Sequence, residues 1–415
     1  MKLNVFFGNE AAGTLESTDN RGIVFSYNKE YLAKENVLPL SASLPLRENE
    51  FSQKECIPFF SGLLPEEDFR KKIAAYLHIS ETSTFKLLEA LGGECAGLIT
   101  ISVEENPDIR KNQYSFDSDN YEKLDEKKLA SFIEKMNVRP LIKADEKLRL
   151  SLAGAQEKLA LAKRNGEWYL PLNGAPSTHI LKPARNGDLA SLGQNEYICM
   201  KLAKELKLDV PEVDLINISG KDIFIVERYD RILKANKIQR IHQEDFCQAL
   251  SIMNTFKYQN DGGPGIKDIY SSIMKNCSVP ALENRKFLQF VIFNFLIGNC
   301  DSHGKNYSLL YKRGIELAPL YDAVATTIYP ELTDKVSMKI GNHYEIKKIN
   351  RDDFILLAEN LGIKLSVLDI IFNAFRKNFD SAFEKICSDK KIKLQIAEQI
   401  AAGWKERIQK ILELV

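Results

Sequence analysis

Apolar positions along the chain change their period several times, and the changes divide it. Leu3 to Phe7, Gly13 to Leu15 and Gly22 to Tyr27 alternate as short strands, with Gly8-Asn9 and Asp19-Asn20 as turn signals. Pro45, in SASLPLRENE, stops any helix there. Two stretches then take helical spacing: Glu67 to His78, through Phe69, Ile73, Ala74 and Leu77, and Ser80 to Leu91, through Thr84, Leu87, Leu88 and Leu91. Gly92-Gly93 ends the second, and Cys95 to Val103 reads as a strand. Residues 1–105 thus form a first unit without obvious catalytic side chains. Residues 106–147 are polar, with one amphipathic helix on Leu129, Phe132, Ile133 and Met136, and read as a surface connector.

From Leu148 the pattern is β-like again. Asn165-Gly166 predicts a hairpin, Thr178 to Pro183 a strand, Leu192 to Leu208 a helix, and Ser219-Gly220 a second hairpin between Val213–Ile218 and Ile223–Arg228. That series, over residues 148–240, suits a small nucleotide-binding lobe. Residues 241–415 are mostly helical: Glu244 to Ser251, Ile266 to Asn276, Leu282 to Asn299, and several helices from Asp352 onward. The expected class is α+β.

Composition narrows the function only a little. The 415 residues are 44% hydrophobic and 27% charged, as in ordinary folded proteins, and long enough for two or three domains. Fifty-seven basic side chains balance 57 acidic ones, which gives little support to direct DNA binding by this chain. The seven cysteines form no CxxC pair, so reduced, buried thiols in a cytosol are expected. Cys300, beside Asp301, has no resolving cysteine or evident base to make it a nucleophile. The N-terminus reads as a first strand, not a signal peptide. The longest apolar run, Phe287 to Ile297, contains Gln289 and Asn294 and is too short to span a bilayer, so a buried helix in a soluble, cytoplasmic protein is the expectation.

The candidate chemistry sits in GNCDSHGKNYSLLY, Gly298 to Tyr311, and in LAPLYDAVATT, Leu317 to Thr327. Phosphoryl transfer needs a carboxylate to orient the attacking hydroxyl and hard oxygen ligands for Mg²⁺. Asp301 and Asn306 have the spacing of the kinase catalytic loop, and Asp322 follows after one hairpin, where a kinase carries its metal-binding Asp. The competing reading is a loop in which Asp301 caps a helix end and Asn306 makes an Asx-turn. Lys182, in a strand ending Ile-Leu-Lys, could reach ATP phosphates and pair with Glu196 on the next helix; solvated side chains would read the same way. Ser151-Leu-Ala-Gly-Ala-Gln-Glu-Lys158 is neither a Walker A loop nor GxGxxG, yet its small residues allow backbone N–H groups to approach phosphates. An ordinary β-turn fits it too. His303 and Lys305 could steady Asp301 or the phosphates, whereas His179 and His242 read as structural.

Taken together, PLSASLPLR, FFSGLLPEEDFR, ECAGLITI, SLAGAQEKLAL, THILKPA, NEYICMKLAKEL, FIVERYDR, RIHQEDFCQALS, GNCDSHGKNYSLL and LAPLYDAVATT resemble the HipA family of bacterial toxin kinases over essentially the whole chain. The resemblance implies a two-lobed, protein-kinase-like fold with an extra N-terminal subdomain and a mainly helical C-lobe, acting as an ATP- and Mg²⁺-dependent serine/threonine-protein kinase. It assigns the phosphate-binding loop to Ala153, Gly154, Ala155, Gln156, Glu157 and Lys158, the ATP lysine to Lys182, and the adenine-facing backbone to Glu227, Arg228 and Tyr229. The catalytic Asp becomes Asp301, with His303, Gly304, Lys305 and Asn306 at ATP and metal, Tyr321 and Asp322 completing the site, and Asn306 and Asp322 as metal ligands. Ser151 takes the place of the family's autophosphorylated serine. The implied partners are a HipB-type helix-turn-helix antitoxin, operator DNA mainly through that antitoxin, and a protein substrate of the aminoacyl-tRNA synthetase class, such as glutamyl-tRNA synthetase, whose modification stalls translation. No membrane partner is implied. Two alternatives stay open: a catalytically weak corepressor scaffold, and a kinase-fold enzyme that acts on lipid or transfers AMP.

Overall fold

The structure is a computed structural model. It describes all residues except 19–21, 94, 104–112, 117–119, 137–157, 173, 185–186, 190, 235 and 413–415. The phosphate-loop candidates Ala153, Gly154, Ala155, Gln156 and Glu157, and Ser151 ahead of them, lie outside the described residues. The chain divides into two compact units. The first comprises residues 1–182, 227–255 and 310–313, and the second residues 183–226, 256–309 and 314–415.

In the first unit, strands Lys2–Phe7, Glu10–Thr18, Gly22–Tyr27 and Ile99–Ser102 form an antiparallel sheet with the first strand between the second and the fourth. Phe25, Phe51, Phe59, Phe60 and Leu88 fill the core against it. The predicted helices are Glu67–Tyr76 and Thr84–Leu91; the second starts four residues late because Ser83 accepts the Lys86 N–H and caps it. The strand expected over Cys95 to Val103 is confined to Ile99–Ser102. A further helix, Gln53–Gly62, contains Pro58 and starts from a Ser52/Glu55 capping box.

The same unit carries strands His179–Pro183, Leu159–Arg164, Glu167–Pro171 and Tyr121–Leu124, adjacent in that order. Asn165 at φ 50° and Gly166 at φ 83° make the predicted turn between the middle two. The stretch read as a surface connector is more deeply involved than its polarity suggested. Its Gln113–Ser115 and Tyr121–Leu124 strands pair with other strands, while Leu129 and Ile133, on the Glu126–Met136 helix, are buried. Few apolar side chains suffice when the backbone itself is paired.

The second unit holds, up to Val226, the hairpin Val213–Ile218/Lys221–Glu227, turned by Ser219 at φ 51° and Gly220 at φ 81°. Its helices are Leu192–Glu205, Ile266–Asn276, Pro280–Ile297, Arg351–Leu361, Leu365–Cys387 and Leu394–Leu412. Phe293, Phe375, Phe379 and Trp404 pack edge-on or stacked where the last and the central helices meet. The predicted helix from Glu244 is shorter: His242–Asp245 is a strand, and Asp245 caps a single turn, Phe246–Ala249. Among the described residues, no helix is long and apolar enough to cross a membrane.

Candidate active site

The Pro280–Ile297 helix carries the site. Pro280 opens it, where a missing N–H costs nothing, and every residue from Phe290 to Cys300 is buried. Gly298 stops it at φ 79°. A Cβ there would lie 2.2 Å from the Thr327 hydroxyl oxygen, so both backbone and space require glycine. The Arg407 guanidinium donates to the Leu296 carbonyl at 2.9 Å, meeting the negative end of the helix with a cation.

Asn294, which argued against a membrane span, anchors the loop that follows. Its Oδ1 accepts from Asn299 Nδ2 at 2.9 Å, and its Nδ2 donates to the Tyr307 hydroxyl at 3.2 Å. Tyr307 lies 2.6 Å from the Ser302 hydroxyl, and burial pushes its phenol up to about 12, so it stays neutral. Asn299 in turn accepts the Asp301 N–H at 3.0 Å. Thr326 accepts the Cys300 N–H at 2.8 Å and donates to the Gly298 carbonyl at 3.1 Å. These satisfied polar groups fix the loop from inside, as buried networks do when every member is paired.

From this frame Asp301 projects into solvent, while Ser302, His303, Gly304 and Lys305 are buried. Its Oδ1 accepts the Tyr258 hydroxyl at 2.8 Å. Gly304–Asn306 makes one 3₁₀ turn, in which Asn306 Oδ1 accepts the His303 N–H at 3.0 Å. Asn306 Nδ2 faces Asp322 Oδ2 at 3.4 Å. Asp322 has φ 54°, a left-handed conformation unusual for a side-chain-bearing residue and frequent at functional sites. Around it, Asn299 Nδ2 approaches its carbonyl at 3.4 Å, and two bonds between Asn195 and the Ala325 backbone, at 3.0 and 2.8 Å, hold the segment beyond. The Tyr321 hydroxyl donates to the Lys305 carbonyl at 2.7 Å and lies 2.7 Å from the Ser308 hydroxyl. Asp301, Asn306, Asp322, His303, Gly304, Lys305 and Tyr321 thus belong to one interlocked pair of loops.

The remaining predicted residues lie in the first unit. Lys182 is buried, on a strand that pairs Leu181 with Leu159. Lys158 is half-buried just before that partner strand, and Glu227 is exposed. Arg228 does structural work with its side chain: Nε and an Nη reach Asp230 at 3.0 and 2.8 Å, and the other Nη reaches Ser177 at 2.9 Å. Its N–H donates to the Thr178 carbonyl at 2.9 Å. The flanking arginines, Arg228 first, hold the Asp230 carboxyl far below its ordinary range despite burial. Tyr229 donates to Gln243. Glu196, in the second unit, is buried, which removes the solvated-face reading for it. Cys300 is buried and burial pushes its thiol up to about 11, so the nucleophile reading has no support. His242 is fully buried and its ring donates to the Leu40 carbonyl at 2.9 Å, consistent with a structural role.

Three contributors carried no sequence signal of their own: Tyr258, Asn299 and Asn195. Their roles come from side-chain bonds across 43, 2 and 130 residues. The signal nearest Tyr258 in the sequence is the Asp261-Gly-Gly-Pro-Gly265 loop.

Comparison with known proteins identifies the family. Residues 3–102 match the HipA N-terminal domain, and residues 150–397 the HipA-like C-terminal domain. The kinase-named protein Y4mE of Sinorhizobium fredii is 40% identical over 88% of this chain and 87% of its own. The serine/threonine-protein kinase toxin HipA of Shewanella oneidensis is 30% identical over 82% of this chain and 79% of its own. A solved complex of Shewanella oneidensis HipA with HipB and operator DNA superposes with a TM-score of 0.84 at 26% identity, covering 99% of this chain and 97% of that one. The chain belongs to the HipA family, and its mixed α+β fold is that of HipA.

Proposed function

We propose that this chain is the kinase toxin of a toxin–antitoxin pair and transfers the γ-phosphate of ATP to a serine or threonine hydroxyl of a protein. The observation that carries the reading is the contact between Asn306 and Asp322 on the loops that also project Asp301. Asn306 Oδ1 keeps a lone pair beyond the one given to His303, and Asp322, whose Oδ2 lies 3.4 Å from the Asn306 amide nitrogen, adds a charged oxygen, so two hard ligands of the kind Mg²⁺ prefers sit on neighbouring side chains. When bound between these residues and ATP, the metal would neutralise phosphate charge.

Asp301 would hold the acceptor hydroxyl in line and take its proton late in the transfer. His303, Gly304, Lys305 and Tyr321 would line the phosphate side. Lys182 and the segment Ala153–Lys158 would bind phosphates, with the backbone of Glu227, Arg228 and Tyr229 beside adenine. In this reading residues 1–105 are the N-terminal subdomain, 106–147 a connector, 148–240 the nucleotide-binding lobe and 241–415 the helical lobe. The test is incubation of the purified chain, and of its Asp301→Asn form, with γ-labelled ATP and bacterial extract. Label on protein that vanishes with the substitution is expected. Label in lipid, label arriving only from α-labelled ATP, or equal labelling by both forms would each overturn the reading.

The partner of the related Shewanella oneidensis HipA complex suggests a HipB-type antitoxin here, with operator DNA reached mainly through it. Zero net charge is in keeping with leaving phosphate contacts to that partner. The acceptor would be an aminoacyl-tRNA synthetase, such as glutamyl-tRNA synthetase, and its modification would arrest translation. Ser151 would be autophosphorylated: about −1.5 to −2 charges beside a loop meant for ATP phosphates would repel the nucleotide and turn the enzyme off. A Ser151→Asp chain should then bind ATP at least tenfold more weakly by calorimetry; undiminished affinity would refute the switch.

A further inference from the structure

Along residues 227–230 exposure alternates: Glu227 is exposed and Tyr229 half-buried, while Arg228 and Asp230 are buried. The segment thus has two residues at the surface and two charged anchors inside. Arg228 donates from Nε to Asp230 Oδ1 at 3.0 Å and from an Nη to Oδ2 at 2.8 Å, a fork that ties together the residues on either side of Tyr229. The Arg231 N–H donates to the Arg228 carbonyl at 3.2 Å and closes the turn. The second Nη of Arg228 reaches the Ser177 hydroxyl, and its N–H the Thr178 carbonyl, each at 2.9 Å. The course of the backbone here is therefore set by buried side chains at alternate positions.

Asp230 is also joined to a distant part of the same unit. Its Oδ2 accepts the Gly97 N–H at 3.1 Å and an Arg231 Nη at 2.8 Å, and its carbonyl accepts the Ile241 N–H at 2.9 Å. Gly97 is held from its other side by Arg240, whose Nε donates to the Gly97 carbonyl at 2.8 Å. The two Nη groups of Arg240 reach the Thr100 hydroxyl at 3.1 Å and the carbonyls of Cys95 and Ile99 at 3.1 and 2.8 Å. Gly97 sits at φ 65°, and a Cβ there would lie 2.7 Å from the Gln243 nitrogen and 2.8 Å from His242 Nδ1, so backbone and space both require glycine. Its amide meets Asp230 from a fixed direction.

A buried carboxylate between two arginines gains little net stability over apolar packing, so its contribution lies in the geometry it fixes. We propose that Asp230 is a positioning residue for recognition of the nucleotide base. By gripping Arg228 together with Ser177, and by docking on the Gly97 amide, it sets the path of the Glu227–Tyr229 backbone against which the base rests. Residues 95–100 thereby contribute to nucleotide choice through Asp230. The inference rests on the reading that places adenine beside that backbone.

The test uses the full chain, bacterial extract proteins as acceptor, and γ-labelled ATP or γ-labelled GTP as donor. The two purines carry opposite donor and acceptor groups on their Watson–Crick edges, so a displaced segment tells them apart less well. Asp230→Asn removes the charge that gathers Arg228, Arg231 and the Gly97 N–H. The expected result is a KM for ATP about tenfold higher with kcat nearly unchanged, and a ratio of kcat/KM for ATP over GTP about tenfold lower. A residue that only stabilises the fold would lower the active fraction and leave KM and the ratio alone. An unchanged ratio, or an equal loss with both nucleotides, would overturn the inference. A natural chain that uses GTP as well as ATP would instead overturn the reading of the backbone beside adenine, so the two failures are distinguishable. If Asp230→Asn does not fold, Ser177→Ala takes its place. It removes one hold on Arg228 and leaves the carboxylate in place, so the ratio should fall about threefold. An unchanged ratio in that variant would refute the role.

Discussion

Glu244 and Asp301 are both acidic residues that receive a tyrosine hydroxyl, and they differ in almost everything else. Glu244, in the first unit, is buried and accepts the hydroxyls of Ser41 and Tyr311 and the Ala42 N–H at 2.9 Å. Burial pushes its carboxyl up to about 7, against the pull of those three donors, and Asp245 adds to the rise. Asp301, in the second unit, is exposed on a loop whose other residues are not. Strong perturbation is often taken to mark catalysis. Here it marks the carboxyl that ties strand His242–Asp245 to residues 41 and 42, while the residue read as catalytic stands in water. What distinguishes Asp301 is the ordered network beneath it and its neighbourhood of Asn306 and Asp322.

If that contrast is right, truncating the two carboxylates has opposite consequences. Asp301→Ala should lower phosphoryl transfer by about a thousandfold or more and leave the melting temperature nearly unchanged, because an exposed side chain contributes little to folding. Glu244→Ala should cost about 3 kcal/mol of stability, since Ser41, Tyr311 and Ala42 lose a buried acceptor together. Urea unfolding and labelled-ATP kinetics on both variants check the pair. A stability loss at Asp301 as large as that at Glu244 would erase the distinction.

A second test uses pH, with the neighbouring His242 as counterweight. Burial pushes the His242 imidazole down to about 3. Between pH 4.5 and 6.5 the folded chain keeps the Glu244 proton that the unfolded chain has released, so this residue makes stability fall as pH rises. Over the same range the unfolded chain protonates His242 and the folded chain does not, so this residue makes stability rise with pH. The two slopes, each roughly 1 kcal/mol per pH unit, should nearly cancel in the natural chain. Glu244→Gln should uncover the histidine, giving stability that climbs with pH through that window. An unchanged profile would mean that Glu244 is already ionised in the folded state.

How much of this was legible in the chain depends on whether a feature is local. The hairpins at Asn165-Gly166 and Ser219-Gly220 were, because left-handed positions restrict the residues that fill them. The hairpin Arg231–Lys234/Lys237–Arg240 was not: Asn236 is left-handed there, and no glycine stands beside it in the sequence. The Gln53–Gly62 helix was hidden by Pro58, although Ser52 and Glu55 held its starting signal. At the candidate site, Asp301, Asn306 and Asp322 could be singled out because their spacing matches the one that phosphoryl transfer imposes on kinases. Tyr258 and Asn195 could not, since a bond over 43 or 130 residues leaves no period to read.

The narrowest comparison makes one chemical change at both carboxylates. Tyr311→Phe removes the phenol that donates to Glu244, as Tyr258→Phe removes the one that donates to Asp301. At Glu244 two donors remain, Ser41 and Ala42, so the expected loss is about 1 kcal/mol of stability, with no kinetic effect beyond that of a slightly less stable fold. Loss of a donor also favours the protonated carboxyl, so the fall in stability with rising pH should extend to higher pH than in the natural chain. At Asp301 the melting curve should stay in place, because that carboxylate is exposed. Measuring both variants by denaturant unfolding at pH 5 and pH 8, alongside transfer kinetics, separates the roles. If Tyr311→Phe slows transfer while ATP binding and stability hold, Glu244 is part of the catalytic apparatus, and the division between a structural and a chemical carboxylate fails.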